Sequence, residues 1–259
     1  MIIGGSHDID LGQFMGYINN EDDLRLLTID SVLDIEEGGK HSECHSKEIL
    51  VHEPNILFNF AHLAYQTYLN HPNSTDILEK MDCDHIRLGE MVNDIKKIEP
   101  HIRFAQMISF DLSVIKQSDF NVSFNPQPFG ITAENACQIA WYAGMSNTCN
   151  SFGLYGYSPQ LDGRLNGAGI IAVMLWYFID GFYHRNKEDF SSNNYRKFTV
   201  DTEDESIVFY KDIRNEMWWA ELVINKDTKE IIPCSYEDYL LASKGDIPQR
   251  LFDMKVKYS

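Results

Sequence analysis

The chain has 259 residues, and 44% of them are hydrophobic, which is enough for a packed core and allows one large domain or two small ones. A formal net charge of −17 argues against nucleic acids and anionic membrane surfaces as partners, because both would repel the chain. The five cysteines are widely spaced without a Cys-x-x-Cys pair, so no disulfide framework or zinc ribbon is expected. Because no basic segment followed by a long apolar one begins the sequence, we expect no signal peptide and a reducing, cytoplasmic location.

Three apolar runs, separated by segments of helical character, indicate buried strands. They are "LRLLTI" (24–29), "ILFNFAHLAYQ" (56–66) and "FAQMISFD" (104–111). A short apolar strand is also predicted at residues 1–3, where it leads directly into "GGSHD". Strands that alternate with helices in this way are typical of an α/β domain with a mostly parallel sheet.

Helices are predicted between and after these strands. Residues 74–81 begin with an N-cap type of residue, and residues 89–98 carry apolar side chains at helical spacing before a proline. Thr132 is suited to cap the helix "AENACQIAWYAG", with Gly144 as its C-terminal stop. The longest apolar stretch, residues 168–179, is shorter than the roughly 20 residues that span a bilayer, so we interpret it as a buried helix.

The pattern changes towards the carboxyl terminus. A further strand is predicted at "SFGLYGYSP", and the polar linker "EDFSSNN" follows the apolar helix. The segments "KFTVDT", "ESIVFYKD" and "MWWAELVI" are then typical of an antiparallel meander, whose aromatic residues belong to a core. The sequence therefore predicts an α/β domain over residues 1–186 and a small, β-rich α+β extension over residues 187–259.

Four polar residues lie where predicted strands of the first domain end: His7, Asp30, Asp34 and Asp111. Because α/β sheets bind ligands at the carboxyl ends of their strands, we expect these side chains to come together. One imidazole and three carboxylates suit a hard-to-borderline divalent cation such as Mn²⁺. The alternatives are that His7 is a turn residue and that Asp30 and Asp34 are solvated carboxylates or a helix cap.

The order of the surrounding motifs carries a family resemblance. "GGSHD", "IDSVLD" and "SFDLS", followed by "FGITAENACQIAWYAG" and "GLYGYSP", resemble the arginase, agmatinase and formimidoylglutamase family of ureohydrolases over roughly residues 1–185. Members of that family carry GG-x-H, D-x-H-x-D and S-x-D-x-D-x-x-D-P, which hold two Mn²⁺ ions that activate a bridging hydroxide. The resemblance implies a three-layer α/β/α fold and assigns His7, Asp30, Asp34 and Asp111 to the first ion.

Several family positions carry other residues in this chain. Val32 replaces the histidine of the second motif, and Ser113 replaces the second aspartate of the third motif. The two ligands that bind only the second ion are therefore missing. Gly156 stands where family members have the glutamate that binds the cationic substrate. We therefore expect Mn²⁺ as the cofactor, with one ion or none bound and the second site lost.

The family also has a proton-carrying histidine after the second motif. His41 or His45 in "GGKHSECHSK" is the candidate for this catalytic role, and no substrate-binding residue is assigned. Family members have β/α units before the GG-x-H strand, and without them residues 1–3 would form an exposed sheet edge. We expect that edge to aggregate or to bind a partner, either another protein or a second copy in a homo-oligomer.

Three functions follow from these patterns. In the first, the protein is a weak or inactive ureohydrolase with a degenerate dimanganese site and a structural, regulatory or assembly role. In the second, it is a single-ion hydrolase of linear amidine C–N bonds, with N-formimidoyl-glutamate, agmatine or arginine as its small substrate. In the third, it is an unrelated α/β binding protein. The first is favoured, because an ion and a substrate countercharge are each typically worth ~2.7–4 kcal/mol of transition-state stabilisation.

Overall fold

A computed structural model describes residues 1–19, 23–36, 44–92, 94–202, 205–225 and 228–258. The chain divides into two compact units, Met1–Arg185 and Asn186–Ser259, and the boundary predicted after residue 186 lies one residue from this division. Within the described ranges, no helix combines the length and the apolarity needed to cross a membrane.

The first unit is built on a six-stranded sheet in which all neighbouring strands run parallel. Its strands are β1 (Ile2–Ile3), β2 (Leu24–Ile29), β3 (Leu57–Tyr65), β4 (Asp84–Arg87), β5 (Met107–Asp111) and β6 (Ser151–Tyr155). Their order across the sheet is β1-β6-β5-β2-β3-β4. Strands β2, β3 and β5 are buried along most of their length, which explains why their sequences are continuous apolar runs rather than alternating ones.

Helices connect these strands, as the sequence predicts. They are α1 (Asp10–Met15), α2 (His45–Leu50), α3 (Ser74–Lys80), α4 (Leu88–Met91), α5 (Glu99–Phe104), α6 (Ala133–Met145) and α7 (Asn166–Tyr183). Thr132 caps α6 as predicted, and its reciprocal partner in a capping box is Asn135. The single helix predicted over residues 89–98 is instead split into α4 and a 3₁₀ turn at Ile95–Ile98.

Helices α6 and α7 approach each other closely at two glycines. A Cβ atom at Gly144 would overlap the carbonyl oxygen of Phe178, and one at Gly181 would overlap the carbonyl oxygen of Trp141. The two backbones can therefore touch only because neither position carries a side chain. Helix α6 continues to Met145, so the prediction that Gly144 ends this helix is wrong, and the glycine serves helix packing instead.

Helix α7 is not the buried helix that its sequence predicts. Four of its 18 residues, all of which the structure describes, are buried. Apolar side chains such as Trp176 and Tyr183 are largely exposed. The apolar sequence thus predicts the helix correctly but does not predict how much of its surface is buried.

The second unit is a four-stranded antiparallel sheet followed by two helices. Its strands lie in the order β10-β9-β8-β7, and the elements are β7 (Tyr195–Asp201), β8 (Ser206–Asp212), β9 (Trp218–Val223), β10 (Lys229–Cys234), α8 (Tyr236–Ala242) and α9 (Gln249–Lys257). Trp218 and Trp219 are buried, and the Trp218 ring stacks on Tyr239 with centroids 4.8 Å apart. The predicted antiparallel extension is confirmed, with one strand more than the three that the sequence indicates.

Strand β1 lies at one end of the first sheet and pairs with β6. Both of its residues, Ile2 and Ile3, are exposed. The partner expected at this edge stays a prediction.

We expect Gly181→Ala to lower the free energy of unfolding by about 1–3 kcal/mol, because the added methyl group would overlap the Trp141 carbonyl oxygen. The matched control is Gly169→Ala in the same helix, where a Cβ atom would meet nothing within 4 Å. That control should raise stability by about 0.5–1 kcal/mol through helix propensity. Urea unfolding followed by circular dichroism measures both, and equal effects of the two substitutions would contradict the close helix contact.

Candidate metal centre

Four neighbouring strands bring site residues to the same edge of the first sheet. Across the order β1, β6, β5 and β2, the residues at or after the carboxyl ends are His7, Gly156, Asp111 and Asp30. His7 begins a 3₁₀ turn, Asp111 is the last residue of β5, and Asp30 directly follows β2. Because the strands are parallel, their carboxyl ends meet and these residues converge.

His7, Asp30 and Asp111 form a compact buried cluster. The Nδ1 atom of His7 lies 2.6 Å from Oδ2 of Asp30 and 3.5 Å from Oδ2 of Asp111. One ligand atom from each of the three residues lies within 4.8 Å of the other two. An imidazole nitrogen and carboxylate oxygens at these separations could hold one divalent cation.

A hydrogen-bonded chain orients the His7 ring. Its Nε2 atom donates to Oγ of Ser109 at 2.9 Å, and the Ser109 hydroxyl donates to Oδ2 of Asp10 at 2.9 Å. This arrangement leaves Nδ1 directed towards Asp30 and Asp111. Metal-binding histidines are commonly held in this way by a hydrogen bond at the other ring nitrogen.

The fourth predicted ligand, Asp34, has a different partner. Its Oδ2 atom lies 3.0 Å from Nε2 of His45, whose Nδ1 atom lies 2.8 Å from Oδ1 of Asp10. Asp34 has a left-handed backbone with φ of 51°, a conformation that aspartate tolerates better than most residues. The structure thus brings three of the four predicted ligands together and joins the fourth to His45.

A cleft of about 460 Å³ opens onto the cluster. His7, Asp30 and Asp111 line it together with Val32 and Ser113, the residues at the two altered family positions. Its remaining wall includes apolar side chains, those of Leu33, Ile35 and Phe124. The altered positions therefore lie beside the three converging ligands.

Gly156 lines the same cleft directly beside Asp111. It has a φ of +81°, and a Cβ atom there would lie 2.6 Å from Oδ1 of Asp111. A side chain at this position would strain the backbone and displace the Asp111 carboxylate. A glutamate therefore does not fit here without a shift of the Asp111 carboxylate.

Two histidines, His41 and His45, are the candidate proton carriers. His41 lies outside the described residues. His45 is fully buried, and both of its ring nitrogens bond to carboxylates, those of Asp10 and Asp34. Its role in proton transfer stays a prediction, while its contacts make it a bridge between two buried acids.

Burial and like charges shift the pKa values of the cluster. Burial alone would lower the pKa of His7, but the carboxylate of Asp30, with those of Asp10 and Asp111, raises it to about 9. Burial and the nearby charge of Asp30 raise the pKa of Asp111 to about 6. Burial also raises the pKa of Asp30. The cluster thus binds protons more readily than free side chains, and a cation would relieve the same excess of negative charge.

His45 supplies a fixed positive charge nearby. Burial opposes its protonation, but hydrogen bonds to Asp10 and Asp34 raise its pKa to about 11. Behind Asp30, burial lowers the pKa of His62 to about 3, and its Nε2 atom donates to the Asp30 carbonyl oxygen at 3.2 Å. At neutral pH His45 is therefore an imidazolium and His62 is neutral.

Sequence reasoning did not identify Asp10 and Ser109. Asp10 is three residues after His7, a spacing that places both on one side of a helical turn. Ser109 is two residues before Asp111, a spacing that places both on one face of a strand. These spacings were available signals for residues that support the cluster.

Comparison with known proteins identifies the family and the fold of the chain. The model of the Arginase family matches residues 1–179 of the chain. A search of curated protein sequences gave no significant match. Among solved structures, a formiminoglutamase from Trypanosoma cruzi solved with Mn²⁺ has a TM-score of 0.65 at 20% identity, covering 71% of this chain and 65% of that one.

Two further structures show the same fold. A formimidoylglutamase from Bacillus subtilis has a TM-score of 0.64 at 16% identity, covering 71% of this chain and 61% of that one. An arginase from Entamoeba histolytica in complex with L-ornithine has a TM-score of 0.58 at 16% identity, covering 68% of each chain. The chain spans about 65% of the length of the Trypanosoma cruzi enzyme. The parallel α/β architecture predicted from the sequence is confirmed, and with the family model matched over most of its length, the chain belongs to the arginase family.

Proposed function

We propose that this protein binds one divalent cation, with Mn²⁺ as the first candidate, and is a weak or inactive ureohydrolase with a structural, regulatory or assembly role. The observation that carries the proposal is the convergence of His7, Asp30 and Asp111 beside Val32 and Ser113. The first three offer an imidazole and two carboxylates to one ion. Neither Val32 nor Ser113 adds an imidazole or a carboxylate for a second.

The charge balance of the site supports a single cation. Four carboxylates are buried here, those of Asp10, Asp30, Asp34 and Asp111, and the His45 imidazolium neutralises part of their charge. Because uncompensated buried charges are costly, the remaining negative charge favours either protons or a bound cation. When bound, a divalent ion supplies positive charge that lowers the pKa of water and stabilises developing negative charge.

His45 also argues against a second ion. It holds Asp34 at 3.0 Å and Asp10 at 2.8 Å, so both carboxylates already have a cationic partner. His7, Asp10 and His45 also offer ligand atoms within 4.8 Å of one another. An ion at this second position would have to displace the proton that joins His45 to Asp10. The site is therefore best described as one cation position next to a built-in imidazolium.

The substrate side of the cleft supports weak activity. The Asp111 carboxylate lies where a side chain at position 156 would project, so the family's substrate-binding glutamate has no room. A cationic amidine would lack its usual countercharge at that position. Losing both the second ion and this countercharge should lower the rate by several powers of ten, at ~2.7–4 kcal/mol for each.

A second candidate function rests on the cleft itself. Its volume of about 460 Å³ and its opening onto His7, Asp30 and Asp111 would admit a small linear amidine such as N-formimidoyl-glutamate, agmatine or arginine. Under this alternative the protein is a single-ion amidine hydrolase. The turnover of these compounds by the unmodified protein separates the two candidates.

We expect about one Mn²⁺ ion per chain after dialysis against excess Mn²⁺, measured by plasma mass spectrometry on the purified protein. Asp111→Ala should lose this ion, because it removes one of three clustered ligands. The matched control, Asp76→Ala, removes an exposed carboxylate on α3 and should retain the ion. A wild-type protein without metal, or equal metal in Asp111→Ala, would contradict the assignment.

We expect the affinity for Mn²⁺ to rise with pH. The pKa of His7 is about 9 in this structure, so below that pH an ion must displace the proton on Nδ1. Affinity should therefore increase about tenfold per pH unit up to about pH 9, and more steeply below about pH 6, where Asp111 is also protonated. Calorimetric titration in buffers of different ionisation enthalpy counts the released protons. An affinity independent of pH between about 6.5 and 8.5 would argue against His7 as a ligand.

We expect the unmodified protein to hydrolyse N-formimidoyl-glutamate, agmatine and arginine far below the typical enzyme range of about 1–10³ per second. The double variant Val32→His with Ser113→Asp should raise the Mn²⁺ content towards two ions while hydrolysis stays low, because Gly156 still supplies no countercharge. Val32→Leu with Ser113→Asn is the control for changed volume without new metal ligands of the family type. Ordinary turnover by the unmodified protein would favour the amidine hydrolase instead.

A further inference from the structure

A buried hydroxyl group without a partner lines the cleft at the candidate metal centre. It belongs to Ser123, which lies in the cleft wall together with His7, Asp30 and Asp111. Ser123 is 1% exposed, and its Oγ atom has no hydrogen-bond partner among the described residues. A serine hydroxyl can both donate and accept hydrogen bonds, and leaving it unpaired in a buried position is costly. A ligand that supplies the hydrogen bond therefore gains affinity in this cleft.

Ser123 lies close to the candidate metal ligands. It pairs with Tyr157 in a short antiparallel bridge. Tyr157 directly follows Gly156, which lines the cleft beside the Asp111 carboxylate. The hydroxyl group and the candidate ligands therefore share one wall of the cleft.

The rest of the cleft wall offers a surface for an apolar group. Leu33, Ile35 and Leu69 line it, and so does Phe124, the residue after Ser123. Phe124 is 74% exposed although it lines a cleft, so its ring lies at the mouth. Ligand pockets commonly combine apolar walls with a few polar groups, and the cleft volume of about 460 Å³ lies within their usual range of roughly 300–1,000 Å³. The cleft therefore suits a small molecule with one polar and one apolar part.

The charges around the cleft favour an uncharged ligand. When one divalent ion is bound, the carboxylates of Asp30 and Asp111 offset its two positive charges. The Asp34 carboxylate is offset by the His45 imidazolium, 3.0 Å away. None of the described residues that line the cleft is a lysine or an arginine, and Glu36 is exposed to solvent. Neither an anionic nor a cationic ligand therefore finds a buried countercharge here.

We propose, building on the single-cation site of the proposed function, that the cleft binds an uncharged carboxamide that carries an apolar substituent. The amide group hydrogen-bonds to the Ser123 hydroxyl, and the substituent packs against Phe124 and Leu69. An amide has both a donor and an acceptor, so it complements a hydroxyl that can act as either. It is also the uncharged counterpart of an amidine, which is cationic near neutral pH. Ser123 and Phe124 are thus specificity-determining residues.

Isothermal titration calorimetry of the full chain loaded with Mn²⁺ tests the proposal with four compounds. Hexanamide has the amide and an apolar chain, acetamide lacks most of the chain, and hexanamidine and hexanoate replace the amide with a cation and an anion. Hexanamide should bind at least about 10-fold more tightly than acetamide, because each buried methylene group adds about fourfold in affinity. It should also bind at least about 10-fold more tightly than the two charged compounds, which find no buried countercharge.

Two variants locate the contacts. Ser123→Ala should weaken the binding of hexanamide and acetamide alike by about 3–10-fold, because one hydrogen bond is lost. Phe124→Ala should weaken hexanamide at least about 5-fold and leave acetamide unchanged, because only the chain reaches the ring. The matched controls are Ser158→Ala, at a buried serine, and Phe129→Ala, at a ring that is 66% exposed. Neither control residue is among the described residues that line the cleft, so both affinities should stay unchanged.

The possible outcomes separate this inference from the proposed function. Circular dichroism of each variant shows whether it folds, and Phe124→Ala, which changes an exposed side chain, tests the apolar contact even if Ser123→Ala does not fold. Equal binding of hexanamide and acetamide, equal binding of the amide and the charged compounds, or affinities that both cleft variants leave unchanged overturn the proposal. Metal content is measured on the same samples. A chain that holds one Mn²⁺ ion and does not bind hexanamide overturns this inference alone, whereas a chain that holds no Mn²⁺ overturns the proposed function and, with it, the charge balance on which the inference rests.

Discussion

The balance of buried charge at the carboxyl edge of the first sheet is the constraint on which the candidate site depends. Asp10, Asp30, Asp34 and Asp111 are all buried, and such groups are stable only with hydrogen bonds and opposite charge nearby. His7 and His45 provide both, one on each side of Asp10. The edge is therefore held together by imidazole–carboxylate contacts that connect β1, α1, β2 and α2.

The two histidines serve this balance in different ways. His45 is enclosed between Asp10 and Asp34, and its hydrogen bonds to their carboxylates raise its pKa to about 11, so it is protonated near neutral pH. His7 has its Nδ1 atom against Asp30 and Asp111 at the wall of the cleft, where its proton and a metal ion would compete for the same place. Under our proposal, this chain keeps one cation position and the His45 imidazolium takes the place of further metal charge. Gly156 offers no countercharge to a cationic substrate, and a Cβ atom at this position would lie 2.6 Å from Oδ1 of Asp111.

The sequence predicted the parallel sheet and the convergence of His7, Asp30 and Asp111, because strand-end residues of neighbouring parallel strands meet at one edge. It could not predict that Asp34 turns towards His45, since this depends on a left-handed backbone at Asp34 and on where α2 begins. Glycine is common both at helix ends and at close helix contacts, so the sequence alone does not distinguish a helix stop at Gly144 from a packing contact. The position of α7 shows that Gly144 is a packing contact. The apolar residues of α7 predicted a helix, but hydrophobicity does not specify the surface that covers it.

The number and position of bound Mn²⁺ ions test the single-cation site most directly. Crystals of the full chain grown with Mn²⁺ should give one anomalous scattering peak per chain at the manganese edge, in contact with His7, Asp30 and Asp111. Val32 and Ser113 should have no ion beside them, and His45 should remain bonded to Asp10 and Asp34. Two peaks, a peak away from these three residues, or no peak in saturating Mn²⁺ would contradict the account of a single cation beside a built-in imidazolium.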